Sequence, residues 1–312
     1  MALYELPTYR PITEARSLLI RATRNCPWNR CEFCNMYKGS TLELRSVSEV
    51  KDDIMTAKRM ADQVKEWACQ NGYGGRISTV ARANGILWLD EEGVKSAFIG
   101  DSDSIILKAE EFAEMVRFLC GTFPSLERVT SYGRAKTLAE KRPEELRMLR
   151  EAGLTALHVG LETGDDKLLR YVDKGVTAEE IIAGGRKAIE AGLELSEYVI
   201  PGLGGRERWE QHVQETARVL NAINPHSVRL RTLGLSPGMP LYQKEQRGEF
   251  TMQSMEELVI EVRTLIENLN VNSELVASDF SANLYLLEVD GKLPQGKNRM
   301  LRTLDRALDM AR

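Results

Sequence analysis

The stretch Cys26-Pro-Trp-Asn-Arg-Cys31-Glu-Phe-Cys34 places three of the five cysteines of the chain in one short segment. Thiolates at such spacings are the ligands that zinc ions and iron–sulfur clusters take in proteins. No further cysteine follows nearby, so the segment offers three thiolates and leaves one position of the metal centre open. An open position is typical of a metal centre that carries out chemistry. Cys69 and Cys120 lie in helical or apolar stretches and are predicted to be buried core residues.

The composition is that of a chain able to fill a hydrophobic core. Of its 312 residues, 43% are hydrophobic and 28% are charged. The formal net charge is -4 and no basic stripe occurs, so nucleic acid is not expected as a partner. The N-terminus has no signal-peptide pattern, and no apolar run is long enough to span a membrane. We therefore expect a cytoplasmic protein, because thiols stay reduced there and can bind metal.

Short apolar runs alternate with amphipathic stretches along most of the chain. Six strands are predicted, at residues 17–22, 96–100, 127–132, 156–161, 195–200 and 227–232. Hydrophobic residues at helical spacing fill the intervals between them. This alternation predicts a parallel sheet with the functional loops at the carboxyl ends of the strands.

Two units are predicted along the chain. Residues 1–240 form the strand-and-helix core, and residues 241–312 form an appendage with two helices that closes the barrel. A long first helix over residues 47–70 is followed by a glycine-rich insertion at residues 71–95, which is either a lid or a packing element.

The cysteine segment, right after the first strand and with Phe33 before its last cysteine, resembles the radical S-adenosylmethionine (radical SAM) superfamily. It has four residues between its first two cysteines, where the commonest pattern of that family has three. Further matches are Phe98-Ile-Gly-Asp-Ser-Asp103, His158-Val-Gly-Leu-Glu-Thr-Gly164 with the residues up to Gly175, and Tyr198-Val-Ile-Pro-Gly-Leu-Gly-Gly205. The second of these is similar to the branch that contains oxygen-independent coproporphyrinogen oxidase and the methylthiotransferases. The whole chain looks most like a bacterial group within that branch.

The resemblance implies a fold, two cofactors and a set of site residues. The fold is α/β, a partial (β/α)6 TIM-like barrel with a small C-terminal helical appendage. The cofactors are a [4Fe–4S] cluster, held by Cys26, Cys31 and Cys34, and S-adenosyl-L-methionine, whose amino and carboxylate groups occupy the fourth iron. Together with the residue patterns, it gives these cofactor-binding candidates: Phe33, Gly100, Asp101, Ser102, Arg134, Glu162, Ile200, Gly202, Arg229 and Arg231.

Residue patterns support several of these candidates directly. Gly100 at a strand end permits close approach to a ligand. Glu162 offers an acceptor for ribose hydroxyls and shares strand parity with His158, although a lone strand histidine is more often a core residue. Arg229 and Arg231 share one face of the sixth strand, and buried charges there are costly unless they meet an anion. That anion is the carboxylate of the cofactor or the substrate; the alternative places these arginines in structural ion pairs.

The predicted function is that of an anaerobic radical SAM enzyme. It would cleave the cofactor reductively and abstract hydrogen from a small anionic substrate, with electrons from a reductant such as flavodoxin or ferredoxin. Residues 278–284 are a candidate segment for closing the barrel mouth. One alternative is an anaerobic porphyrinogen-type oxidase. Another is a non-catalytic iron–sulfur or zinc protein, although His158, His212 and His226 lack ligand-like spacing to the cysteines.

Overall fold

The computed structural model describes residues 4–278 and 289–311. In this part of the chain, eight strands form one sheet in the order β1-β4-β5-β6-β7-β8-β9-β10, and β2 and β3 form a separate hairpin. Neighbouring strands from β1 to β9 are parallel, whereas β10 runs antiparallel to β9. The strands are β1 Leu18–Arg21, β2 Thr23–Arg24, β3 Glu43–Leu44, β4 Ser96–Gly100, β5 Arg128–Gly133, β6 Ala156–Glu162, β7 Glu194–Val199, β8 Ser227–Leu230, β9 Glu274–Val276 and β10 Gly291–Lys292.

Helices lie between successive parallel strands, and one more helix follows the last strand. They are α1 Val47–Gln70, α2 Ile77–Ala83, α3 Ala109–Thr122, α4 Ala135–Glu140, α5 Pro143–Glu151, α6 Asp166–Tyr171, α7 Ala178–Glu190, α8 Gly205–Ile223, α9 Pro240–Gln246, α10 Met255–Asn268 and α11 Lys297–Ala311. Ser46 and Ser254 begin α1 and α10 with capping boxes. In each box the serine side chain accepts from the backbone N–H of a glutamate, Glu49 or Glu257, and the glutamate side chain accepts from the backbone N–H of the serine. These reciprocal bonds satisfy backbone donors that the first helical turn leaves unpaired.

The two faces of the sheet have different chemistry. Leu157, Val159 and Leu195 point to the helices and belong to the main hydrophobic core. His158 and Ser196 pair in register on the opposite face, which is the inner face of the partial barrel. The apolar outer face fixes the sheet against the helices, and the polar inner face is left for the site.

The alternating strand–helix order predicted from the sequence is confirmed. All six predicted strands are present, with ends shifted by at most two residues, and the first long helix covers the predicted residues 47–70. A parallel sheet covered by helices and closed incompletely into a barrel is therefore the fold of this chain.

The C-terminal segment differs from a purely helical appendage, because it also adds two strands to the sheet. β9 pairs with β8 through residues such as Leu275 and Val276, and β10 pairs with β9. Val262, Ile266 and Met300 of this segment lie in the same hydrophobic core as the barrel strands. Strands of three and two residues have no pattern of their own and are stabilised by the neighbours they pair with.

The insertion at residues 71–95 packs against the core. It contains α2, whose Ile77, Val80 and Ala81 are buried in the main hydrophobic core. It leads directly into the amino end of β4, so it lies opposite the carboxyl ends of the strands. Of the two roles considered for it, packing agrees with this position and a lid does not.

Candidate functional site

The cysteine segment lies in the loop between β2 and β3. Asn25 and Asn29 adopt left-handed backbone conformations, with φ of 68° and 50°, which asparagine tolerates better than most residues. Asn29 donates its side-chain amide to the carbonyl of Ser40 at 3.0 Å and its backbone N–H to the Sγ of Cys26 at 3.4 Å. The N–H of Cys34 donates to the carbonyl of Cys31 at 3.3 Å. The loop therefore folds back on itself and presents three free thiols from one turn of chain.

Asp101, after β4, ties both ends of this loop to the sheet. Its Oδ2 accepts from the N–H of Asn25 at 3.3 Å and from Arg21 at 2.6 Å, and its Oδ1 accepts from the hydroxyl of Tyr37 at 2.6 Å. Ser102 donates to the carbonyl of Asn25 at 2.9 Å. The Asp101 side chain is fully buried. Its carboxylate is thus engaged by protein donors, and its place in the site is to hold the cysteine loop.

Gly100 lies at a point of close approach, and its near neighbours in this structure are Pro7 and Phe98, whereas the prediction concerned a ligand. A Cβ at Gly100 would come within 2.7 Å of the Cβ of Pro7 and 3.1 Å of the ring of Phe98. Any side chain at this position would therefore displace the N-terminal segment that packs over the end of β4.

The loop also docks on residues 172–175, which follow α6. Trp28 donates its indole N–H to the carbonyl of Asp173 at 2.6 Å, and Arg30 pairs with the Asp173 carboxylate at 2.9 Å. Gly175 has a φ of +70°, and a Cβ there would collide with the Trp28 ring. A glycine is required at this position for both reasons.

Glu162 and Lys174 form a buried ion pair beside the cysteines. Their Oε1 and Nζ atoms are 2.7 Å apart, and Glu162 has a left-handed φ of 64° at the end of β6. Burial opposes the charge of Lys174, but the carboxylate of Glu162 raises its pKa above the ordinary value. Nζ also lies 5.8 Å from the centroid of the Phe33 ring. The pair places one positive and one negative group at the edge of the cysteine loop.

The thiols themselves sit in an environment suited to a negatively charged cluster. Burial raises the pKa of Cys31 to about 11, while Lys174 and Arg134 act in the opposite direction. Burial also raises the pKa of Cys34. These thiols are therefore protonated without metal, and iron ligation would deprotonate them. Buried thiolates on a cluster need nearby cations, which Lys174 and Arg134 provide, so the residues present fit a [4Fe–4S] cluster.

Arg134 lies at the end of β5, on the same side as the cysteine loop. Its Nη2 donates to the carbonyl of Lys174 at 3.1 Å, and its guanidinium lies 5.3 Å from the Trp28 ring centroid. Its backbone N–H donates to buried Asp103 at 3.0 Å. The structure thus brings Arg134 to Lys174 and the cysteine loop.

Ile200 and Gly202 lie just beyond β7, next to Glu162. The N–H of Ile200 donates to the carbonyl of Glu162 at 3.1 Å. Gly202 has a left-handed φ of +89°, and its N–H donates to Glu261 at 2.8 Å. Ile200 belongs to a small apolar cluster that also contacts Phe33. The residues predicted for adenine, ribose and cluster therefore meet at the carboxyl edge of the sheet.

The inner wall of the barrel is aromatic and basic. The rings of Phe98, Tyr132, His158 and Tyr198 follow one another at centroid distances of 5.1, 6.0 and 6.1 Å. Arg229 donates to the hydroxyl of Ser196 at 3.0 Å, and the guanidinium of Arg231 lies 5.4 Å from the Tyr198 ring centroid. Both arginines are half-buried on the inner face. His158 meets Glu14 at 3.2 Å near the amino end of the strands, and burial lowers its pKa.

Several residues of the site were not foreseen from the sequence. Trp28 and Tyr37 find their partners across long stretches of chain, Lys174 meets Glu162 across the turn and short helix that follow β6, and Glu261 reaches the site from the C-terminal segment. Among these residues, only Lys174 could have been suspected from the sequence, because it lies next to Gly175 in the segment that resembles the family. The prediction that Cys69 is a buried core residue is wrong, because Cys69 is exposed at the end of α1, and Cys120 is half-buried.

Comparison with known families decides the assignment. The profile of the radical SAM superfamily matches residues 20–220, more than half of the chain. The chain belongs to the radical SAM superfamily. Members of this superfamily use a [4Fe–4S] cluster and S-adenosylmethionine, which confirms the cofactors predicted above.

Individual relatives are distant. The heme chaperone HemW of Bacillus subtilis (strain 168) is 20% identical over 182 residues, which span 58% of this chain and 46% of that protein. Coproporphyrinogen III oxidase (HemN) from Escherichia coli, a radical SAM enzyme, is 16% identical with a TM-score of 0.52, over 82% of this chain and 53% of that one. The methyltransferase TsrM from Kitasatospora setae is 20% identical with a TM-score of 0.51, over 73% and 39%. The chain thus spans about half the length of its curated relative, and these structures show a shared fold.

Three further observations concern the described residues. Within residues 4–278 and 289–311, no helix has the length and apolarity needed to cross a membrane. In the same ranges, no three His, Cys, Asp or Glu side chains converge as ligands of a single metal ion; a cluster binds each thiolate at a different iron. The segment proposed to close the barrel mouth, 278–284, lies outside the described residues apart from Ser278.

Proposed function

We propose that this chain is a radical SAM enzyme that acts on a small anionic substrate bound inside the partial barrel. The observation that carries the proposal is the meeting of the cysteine loop with the buried Glu162–Lys174 pair at the carboxyl edge of the sheet. That edge is where barrel enzymes place their catalytic groups. When bound together and reduced, the cluster and S-adenosylmethionine supply a radical that abstracts hydrogen from a substrate.

Different residues of the chain would bind different parts of the two cofactors. Cys26, Cys31 and Cys34 would hold the cluster, and Gly100, Asp101 and Ser102 would fix the loop near the amino group of the cofactor. Glu162 would accept from the ribose hydroxyls, while its Oε1 also accepts from Nζ of Lys174. Ile200 and Gly202 would receive the adenine, which needs a flat apolar surface and uncrowded backbone. Phe33 and Arg134 would enclose the junction between the cofactor and the cluster.

The inner wall supports an anionic substrate. Arg229 and Arg231 alternate on β8 and its extension and lie beside Ser196 and Tyr198. Burial raises the pKa of Tyr132, and the positive charges of the two arginines oppose that rise. Guanidinium groups pair well with carboxylates. The proposal therefore assigns these arginines to a carboxylate of the substrate or of the cofactor.

A second candidate is an oxidase of the porphyrinogen type. It is favoured by the matches to the heme chaperone and to coproporphyrinogen III oxidase, and by arginines that suit propionate groups. The assay that separates the candidates is anaerobic incubation with coproporphyrinogen III. Decarboxylation of coproporphyrinogen III would favour the second candidate. Recovery of the compound unchanged would favour the first candidate, an enzyme that acts on a small anionic substrate.

Cluster loading tests the proposal at its first step. After anaerobic reconstitution with iron and sulfide and reduction with dithionite, the wild-type chain is expected to give a [4Fe–4S] spectrum by electron paramagnetic resonance, and S-adenosylmethionine should change that spectrum. Cys31→Ala should lose the cluster. Cys69→Ala is the matched control, because Cys69 is exposed and far along the chain from the loop. Full iron content in Cys31→Ala, or a colourless zinc-loaded wild type, would contradict the proposal. The reductant in the cell is proposed to be a flavodoxin or ferredoxin.

A further inference from the structure

We infer that Glu261, on α10 of the C-terminal segment, is a positioning residue for the nucleoside edge of the cofactor site, acting through the backbone of Gly202. The inference rests on the proposed binding of S-adenosylmethionine at that edge. It gives the C-terminal segment a part in cofactor binding that is separate from closing the barrel mouth.

The contact between Glu261 and the turn after β7 is direct. The N–H of Gly202 donates to Oε1 of Glu261 at 2.8 Å, and the Glu261 side chain is 2% exposed. A Cβ on Gly202 would lie 3.0 Å from Leu258, one helical turn before Glu261 on α10. The left-handed φ of Gly202 already turns the chain away from β7. α10 therefore fixes both the position of this turn and the direction of its N–H.

His212 of α8 links the same carboxylate to the ribose side. Its Nε2 lies 3.5 Å from Oε1 of Glu261, and its Nδ1 lies 2.7 Å from the hydroxyl oxygen of Thr163. Thr163 directly follows Glu162, and its hydroxyl oxygen also accepts from the N–H of Asp165 at 3.1 Å. The buried His212 ring therefore lies between Glu261 and the residue that follows Glu162.

A polar residue at position 261 needs a reason, because its buried neighbours on α10 are apolar. The hydrophobic side chains of Leu258, Val262 and Leu265 on the same helix are buried. Burial lowers the pKa of His212 to about 4 and raises that of Glu261 to about 7, so the pair is not held by a full charge on the imidazole. A leucine would satisfy packing alone. The carboxylate serves a backbone donor that the turn would otherwise leave buried and unpaired.

The test combines affinity with a direct readout of the turn. Calorimetry on the cluster-loaded protein measures the Kd for S-adenosylmethionine and for S-adenosylhomocysteine, and hydrogen exchange follows the peptide that contains residues 200–205. We expect Glu261→Leu to weaken both ligands about tenfold and to speed exchange in that peptide, since one buried hydrogen bond is lost. Glu261→Gln should remain near wild type, because its amide oxygen still accepts. Val262→Ala is the matched control, expected to lower the melting temperature without changing either Kd.

Each outcome decides between the two proposals. Wild-type affinity and wild-type exchange in Glu261→Leu would overturn the positioning role and leave the proposed function standing. A loaded wild-type protein that binds neither ligand would overturn both. If Glu261→Leu does not fold, Glu261→Asp replaces it, because a side chain shorter by one methylene cannot keep the 2.8 Å contact. An unchanged Kd in Glu261→Asp would then contradict the inference.

Discussion

At the scale of single residues, Glu162 is the most constrained group of the site. It combines a left-handed backbone, a position at the end of β6 and a 2.7 Å ion pair to buried Lys174. Non-glycine residues hold such a backbone only where the surroundings require it. Removing one partner of a buried pair leaves the other charge uncompensated, so substitution by alanine would mix folding and binding effects.

A conservative substitution separates these effects. Glu162→Gln keeps the shape of the side chain and removes its charge, and it should weaken S-adenosylmethionine binding by about 1 to 3 kcal/mol as the ribose hydroxyls lose a charged acceptor. Calorimetry on cluster-loaded protein measures this, with Glu151→Gln at the exposed end of α5 as the control. An unaltered affinity, with the cluster spectrum intact, would move the ribose contact to another residue.

At the scale of single elements, β7 carries an unusual side chain. Glu197 points to the helix side of the sheet, between Val159 of β6 and Val228 of β8 in register. It is 1% exposed, and neither carboxylate oxygen has a hydrogen-bond partner within the described part of the chain. Burial, followed by the charge of Glu162, raises its pKa well above the ordinary value of 4.5. The folded protein therefore keeps Glu197 protonated.

This protonation predicts the pH dependence of stability. The unfolded chain loses the Glu197 proton above about pH 4.5, whereas the folded chain retains it until its raised pKa is reached. The protonated Glu197 therefore makes its full contribution to folding stability below pH 4.5, and this contribution is lost as the pH rises through the pKa of Glu197 in the folded chain. Glu197→Gln should gain stability relative to wild type between pH 5 and pH 8 in urea titrations. Glu194→Gln, at the exposed start of the same strand, is the control. A constant difference across that range would refute a neutral Glu197.

At the scale of the whole molecule, the sequence predicted what local pattern encodes. Hydrophobic periodicity gave the six parallel strands, and the clustered cysteines gave the loop that meets the carboxyl edge of the sheet. β9 and β10 were missed because strands this short depend on the strands they pair with, β9 on β8 and β10 on β9. The role of Glu261 was missed because it is defined by a contact between distant segments, and that of Lys174 because the backbone turn after β6 decides whether it meets Glu162. Hydrophobic patterns and short motifs describe only neighbouring residues, so they do not predict which distant side chain contacts a given turn.

The central claim is that this assembly of loop, ion pair and inner wall supports radical SAM chemistry. The most direct measurement is the release of 5′-deoxyadenosine from S-adenosylmethionine by the anaerobically reconstituted protein with dithionite, quantified by liquid chromatography and mass spectrometry. We predict release by the wild type and by Cys69→Ala, and none by Cys31→Ala. A fully loaded wild-type protein that binds S-adenosylmethionine but releases no 5′-deoxyadenosine, or equal release from Cys31→Ala, would contradict the account.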